Sequence, residues 1–192
     1  MGRRKSYDRT DVLTKAMHLF WAKGYEGAHL SELVDVTGLN RFGLYSEFGG
    51  KEGLFQEALD LYLKSARTAY RDVLSVEPMG IGNIRSYFQS IRFGDDYHGC
   101  FLINTLTDKH TVSEVAFGAA QAVHKEAHAL FLRNLEAAQA SGELPPDRDP
   151  GVLANLLSAL DSGLSIRGIV SPSEREKDKV AEEALRLLTS FG

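Results

Sequence analysis

Apolar residues recur along this chain at helical spacing, and the alternation of a strand is almost absent. Asp8 to Gly24 carries Val12, Leu13, Ala16, Leu19 and Phe20 on one face, the pattern of an amphipathic helix. Gly24 stands where such a helix stops. Leu30 to Phe55 reads LSELVDVTGLNRFGLYSEFGGKEGLF. This predicts a short helix, a turn at Gly38, a second short helix carrying Arg41 and Tyr45, and a third helix opened by Lys51 after another glycine break. Leu33, Val34, Leu39, Leu44 and Phe48 are the apolar positions that hold the two short helices together, which leaves Asn40, Arg41, Phe42, Gly43 and Ser46 to face outward.

The same periodicity continues to the end of the chain. Leu54, Ala58, Leu61, Tyr62, Ser65, Ala69 and Val73 form one stripe, predicting a helix from Lys51 to about Ser75 with Pro78 and Gly80 beyond it. Ile84 to Phe93 is a shorter segment, and GCFLINTL from Gly99 is apolar enough to lie inside. Val112 to Ser141 is a long helical run closed by Gly142 and the Pro145-Pro146 pair. Asp149 caps a new helix with Pro150 at its first position, running to about Val170. Ser173 to Phe191 is the last, with Val180, Ala184, Leu187 and Phe191 on one face. The fold expected is all-α. Repeats and low-complexity tracts are not seen.

A helix packed across its predecessor through a turn of about three to four residues is how proteins place a recognition helix in the DNA major groove. An ordinary surface hairpin shares that turn. The formal net charge of -4 argues against nucleic acid until it is divided along the chain. Residues 1–51 hold eight Lys or Arg against six Asp or Glu, a net +2, and the remainder holds fourteen against twenty, a net -6. Arg3, Arg4 and Lys5 make a basic arm that suits the phosphate backbone or the minor groove, or else a solubilising tail.

With the flanks included, Asp8 to Tyr62 resembles the DNA-binding domain of the tetracycline-repressor (TetR) family of transcriptional regulators. The segments LTKAMHLFWAKGYEGAHLSEL and GLNRFGLYSEFGGKEGLFQEALDLY carry the likeness, and the run GLNR, LY, FG, KE, LF is its most specific part. The resemblance implies a three-helix DNA-binding domain over residues 1–50 and a helical effector-binding and dimerisation domain over 51–192. It implies a homodimeric repressor of a two-fold DNA operator, released by a small-molecule effector. By the same resemblance Arg41 matches the base-reading position, where its guanidinium fork suits a guanine edge. Tyr45 matches a tyrosine whose hydroxyl reaches phosphate. Lys51 matches a lysine at a helix N-terminus that already attracts phosphate.

The chain also departs from the family pattern. Ala28 and His29 stand where a capping threonine is common, so Ser31 is expected to take part of that role. Phe42 is bulkier than usual, Gly43 replaces a small hydroxyl residue, and Glu47 places a carboxylate near the expected phosphate path. The DNA-contacting set expected is thus Ser31, Asn40, Arg41, Phe42, Gly43, Tyr45, Ser46 and Lys51. The resemblance places dimerisation on the last two helices, where Leu153, Leu157, Leu160 and Leu164 fit with Leu187 and Leu188 opposite; an intrachain core face has the same pattern. For the effector cavity, the candidates are Tyr62, Phe88, Phe93, Cys100, Phe101, Asn104, Phe117, Phe131 and Arg167, although aromatic residues at helical spacing also serve as plain core.

Other chemistry finds less support. His124 and His128 share a helix face at a spacing that can hold zinc. Lys125 stands where a zinc protease places its glutamate, and no third ligand follows, so neither metal nor cofactor is expected. A helical zinc enzyme is the remote alternative. Cys100 is the single cysteine; it is either a small buried hydrophobe or a redox-sensing thiol, and a thiol- or metal-gated regulator or activator is the nearer alternative. Without a membrane-length apolar run or signal core, a cytoplasmic protein with no membrane partner is expected.

Overall fold

In a computed structural model, residues 7–94 and 96–190 are described. Among them the chain forms nine helices and no strand: α1 (Arg9–Gly27), α2 (Leu30–Thr37), α3 (Arg41–Phe48), α4 (Lys51–Leu74), α5 (Ile81–Ser90), α6 (Phe101–Thr107), α7 (Glu114–Ser141), α8 (Pro150–Val170) and α9 (Glu174–Thr189). The basic arm at Arg3 to Lys5, and Phe191, lie outside the described residues.

Local signals set most helix ends. The Asp8 side chain accepts from the Thr10 N–H, Asp149 caps α8 at Gly151 and Val152, and the Ser173 side chain accepts from the Glu176 N–H at the head of α9. Gly24 breaks α1 with φ 71°, the left-handed conformation that glycine adopts without strain. The last turn of α1 continues to Gly27, beyond the stop expected from Gly24. Helix α5 starts three residues earlier than its apolar pattern predicts, at Ile81, a buried residue.

The chain divides into two compact units, Met1–Ser65 with Phe101–Gln121, and Ala66–Cys100 with Ala122–Gly192. The first has an aromatic core. Phe20 and Tyr25 each meet Phe55 at 5.0 Å, and Phe101 meets Phe55 at 5.7 Å and Tyr62 at 5.6 Å. Trp21 stands edge-on to Tyr62 at 5.3 Å. Such edge-to-face pairs add to the energy of burial itself.

In the second unit two buried polar side chains bond backbone groups, most of them at helix ends. Asn134, fully buried, donates to Leu74 O at 2.8 Å and Leu130 O at 2.9 Å, and accepts from Gly80 N–H at 3.0 Å. Lys177, 2% exposed, donates from Nζ to Phe88 O at 2.9 Å and Ile91 O at 2.7 Å, at the end of α5. Between them Tyr87, Phe88 and Phe131 form a ring cluster, with Tyr87 at 5.3 Å from Phe88 and 5.4 Å from Phe131.

Gly53 is the tightest point of the first unit. A Cβ there would overlap the Phe48 carbonyl oxygen, which is fixed backbone. Gly82, inside α5, faces nothing within 4 Å. We expect Gly53→Ala to destabilise the protein by at least about 3 kcal/mol, the upper end of overpacking costs. Gly82→Ala should stabilise it by about 0.5–1 kcal/mol through helix propensity. Urea unfolding of both variants checks this, and a neutral Gly53→Ala would refute the close approach.

Candidate functional site

The chain turns from α2 into α3 at Gly38, whose φ of 71° caps α2 in the left-handed conformation. Leu33, Leu39 and Leu44 are buried beneath the turn. Asn40 begins α3 in extended conformation, and its side-chain oxygen accepts from the Gly43 N–H at 2.8 Å. Asn40 is therefore the cap of the helix, so its carbonyl oxygen is engaged and only its amide N–H groups remain to face a ligand. Asn40 is exposed, as its place in the pattern implies, and caps the helix as well. An N-cap of this kind contributes about 1 kcal/mol, offsetting the cost of Gly43 inside so short a helix.

Beyond the cap, α3 exposes one face. Arg41 and Ser46 are exposed, Phe42 is 82% exposed and Tyr45 50% exposed, whereas Leu44 and Phe48 are buried. Among the described residues no ion pair engages Arg41 and no side-chain hydrogen bond engages Tyr45. Gly43 is half-buried, and Ser46 Oγ donates back to Gly43 O at 3.3 Å. An arginine fork, a phenol and an unusually exposed phenylalanine thus project from an element anchored below by Leu44 and Phe48.

Ser31 is the second residue of α2, in its first turn, and is exposed. Capping there is done elsewhere: His29 is the cap residue, and its N–H donates to the Glu32 carboxylate at 3.2 Å. Lys23 also bonds that carboxylate, and these hydrogen bonds lower the Glu32 pKa, the Lys23 bond first. Glu47 is not left bare towards the phosphate path. Arg9 reaches it at 3.6 Å, bonds Glu57 at 2.6 Å, and lies over the Phe48 ring at 4.4 Å. Lys51 Nζ donates to Glu26 O at 3.3 Å and sits over the Tyr25 ring at 4.7 Å. An ammonium has three donors, so this bond leaves others for phosphate.

The effector candidates divide between the units. Tyr62, Phe101, Asn104 and Phe117 belong to the first, and Phe101 there is core, 2% exposed. Lys109 lies over the Phe117 ring at 5.5 Å. Phe88, Phe93, Cys100, Phe131 and Arg167 belong to the second. Arg167 is corrected: it is exposed and paired with Glu176 at 3.2 Å, because its position on α8 faces outward. His124 is half-buried, and burial first, then the neighbouring His128, lowers its pKa. His128 pairs with Asn155 at 3.1 Å. Among the described residues no three His, Cys, Asp or Glu side chains gather as metal ligands.

The leucines proposed for dimerisation are also redistributed. Leu157 is fully buried, Leu153, Leu164 and Leu188 are buried within the protomer, and Leu160 is half-buried. Of that set only Leu187 is open, at 55%. The apolar stripe that α8 leaves uncovered is a different one: Val152, Leu156, Ala159, Gly163, Ile166 and Val170, all exposed. The stripe continues on α9 with Val180, Ala184 and Leu187. Helix α8 is apolar on two faces, and periodicity alone does not say which one the chain covers.

One group escaped the sequence reading. Asp161 interrupts the inward stripe of α8 between Leu157 and Leu164. Its carboxylate accepts from Tyr87 Oη at 2.8 Å and Tyr70 Oη at 3.3 Å. Burial pushes its pKa from 3.8 up to about 6, against the lowering effect of the two hydroxyl donors. Burial likewise raises both tyrosines well above their ordinary value. One turn on, Ser165 Oγ accepts the Cys100 N–H at 2.8 Å and lies 3.3 Å from Tyr97 Oη. The signal available in advance was a lone carboxylate inside the run LLSALDSGLS.

Known proteins agree with the geometry of the α2–α3 pair. Residues 12–58 match the model of the bacterial regulatory proteins, tetR family, and residues 84–182 match the tetracyclin repressor-like C-terminal domain. The HTH-type transcriptional repressor ComR of Escherichia coli is 36% identical over 195 aligned positions, covering 97% of this chain and 91% of that protein. The uncharacterised HTH-type regulator YezE of Bacillus subtilis is 29% identical over 94% of this chain and 96% of its own. Among solved structures, a triple cysteine mutant of the TetR-family regulator CifR, complexed with 26-bp operator DNA, superposes with a TM-score of 0.83 at 31% identity, covering 97% of this chain and all of that one.

The pKa of Asp161 carries a stability consequence. Because folding raises it, the native state holds the proton more tightly than the unfolded chain does. That gain is complete below the ordinary value of 3.8 and is lost as pH rises through about 6. A shift of this size corresponds to about 3 kcal/mol. The stability difference between wild type and Asp161→Asn should therefore fall by about that amount as pH is raised from about 3 to about 8. Denaturant unfolding across the range tests this, and a flat difference would show that Asp161 titrates normally.

Proposed function

The chain belongs to the tetR family of bacterial regulatory proteins, and we propose that it reads its operator with the exposed face of α3 and releases it when a small molecule occupies its C-terminal helices. It is a DNA-binding transcriptional repressor and not an enzyme. The observation that carries the assignment of roles is the composition of the α3 face, where Arg41, Phe42, Tyr45 and Ser46 stand exposed above buried Leu44 and Phe48. Arg41 reads a base edge, Tyr45 and Lys51 hold phosphates, and Ser31 approaches the backbone from the first turn of α2. Residues 1–50 serve as the DNA-binding part and 51–192 as the effector and dimerisation part, with α4 continuous from Lys51 to Leu74. No described helix is long and apolar enough to cross a membrane. The protein acts in the cytoplasm, where the DNA is.

It works as a homodimer, since two recognition helices must sit about 34 to 36 Å apart, or a multiple of one DNA turn, to read both half-sites. We place the seam on the uncovered stripe of α8 with Val180, Ala184 and Leu187 of α9. A self-complementary patch of this kind suits a two-fold interface, and Ala159 with Gly163 lets two helices approach closely.

Two variants test these roles. Arg41→Ala should cost about 1–3 kcal/mol per protomer and relax base choice at one position of each half-site, whereas Tyr45→Phe should weaken all sequences alike. A binding-site selection in which Arg41→Ala keeps the wild-type preference would overturn its role. Leu156→Asp should give monomers that keep their helical content but lose specific DNA binding, while Leu157→Asp should unfold the unit instead. Sedimentation showing an intact Leu156→Asp dimer would move the seam elsewhere.

A further inference from the structure

Asp161 lacks what buried carboxylates ordinarily have. A charge withdrawn from water needs a counter-charge or a full set of hydrogen bonds. An ionised carboxylate offers about four lone-pair sites, and the two tyrosine hydroxyls fill two of them. No Lys, Arg or His pairs with Asp161 among the described residues. Five cations of the second unit are engaged elsewhere: Arg67 and Arg71 with Glu126, Arg85 with Glu182, Arg167 with Glu176, and Lys177 with the α5 carbonyls. With a pKa of about 6, the group is mostly anionic at neutral pH.

The surroundings narrow what the missing partner is. Tyr70 and Tyr87 stack at 5.2 Å, and the buried rings of Phe88 and Phe131 pack against Tyr87. Aromatic faces attract cations, most strongly where water is excluded. A hard metal ion wants several carboxylate or carbonyl oxygens, and only one carboxylate is present. Asp161 is half-buried as a residue, and burial dominates the surroundings of its carboxylate.

We propose that Asp161, Tyr70 and Tyr87 form the recognition point for an organic cation, an ammonium group bearing apolar or aromatic substituents, and that the effector is of this class. The inference rests on the effector-released reading above. The ammonium lies against the Asp161 carboxylate and its substituents lie on the rings. Tyr70 is part of α4, so the hydroxyl that shares the carboxylate with the ligand belongs to the helix that begins at Lys51.

The test uses the full chain at about pH 8, where the carboxylate is ionised, and two probes of one shape: benzyltrimethylammonium and its uncharged isostere neopentylbenzene. Ligand-observed NMR and calorimetry should show the cation bound and the isostere weaker by about thirtyfold or more, the scale of removing one partner of a buried charge pair. Asp161→Asn, which keeps the volume and an acceptor oxygen, should lose the cation by a similar factor. Equal affinities, no binding of the cation, or unchanged cation binding by Asp161→Asn would each overturn the proposal. Should the variant fail to fold, the wild-type comparison of the two probes decides. A gel shift with a selected operator separates the two readings. Cation bound at Asp161 without release of DNA would sink effector release and leave the site standing. Release by a neutral compound alone would do the reverse.

Discussion

The backbone of Phe48 passes so close to Gly53 that no side chain fits between them, and the position of α3 depends on this contact. Phe48 ends α3 and Gly53 lies in the first turn of α4. Two short segments are thereby fixed at a distance that packing side chains would have kept wider. Helices of eight residues such as α2 and α3 are marginal alone. They persist because Gly38 turns one into the other, Asn40 caps the second, and Leu33, Leu39, Leu44 and Phe48 bury the shared face. Arg9 adds a tie from α1, lying over Phe48 while bonded to Glu57. The exposed face of α3 is held at its ends and from beneath, so its side chains project from a backbone that is already ordered.

Most of the architecture was legible in the sequence because helix ends carry local chemistry. Asp149 caps the helix that follows it, as the pattern suggests, Asp8 and Ser173 cap the helices whose starts the periodicity places there, and Gly38 and Gly24 take the left-handed conformations their places imply. What stayed hidden required knowing partners distant in sequence. Asn40 reads as an outward polar residue until the Gly43 N–H is found against it. The cap formed by His29 with Glu32 is hidden because histidine is not a usual N-cap and the hydroxyl of Ser31 stands beside it. Glu47 reads as a misplaced charge until Arg9 is seen nearby.

Helix α8 shows the limit most clearly. Both of its apolar stripes satisfy the same periodicity, and the sequence reading took the covered one, Leu153, Leu157, Leu160 and Leu164, for the open one. Which face is inside is decided by what packs on it, including Phe93 and Tyr97, whose rings occupy the space where a Cβ of Gly168 would stand. Asp161 was passed over for the same reason. A carboxylate among leucines looks like a solvated position until two tyrosines, from α4 and α5, prove to be its neighbours.

Trp21 is the chain's one tryptophan, and its ring stands against Tyr62 and His18 inside the first compact unit. The tryptophan fluorescence of the protein therefore comes from a single place. Excited selectively, it reports on the surroundings of Trp21 in α1, where its ring meets Tyr62 and His18, without attaching a label.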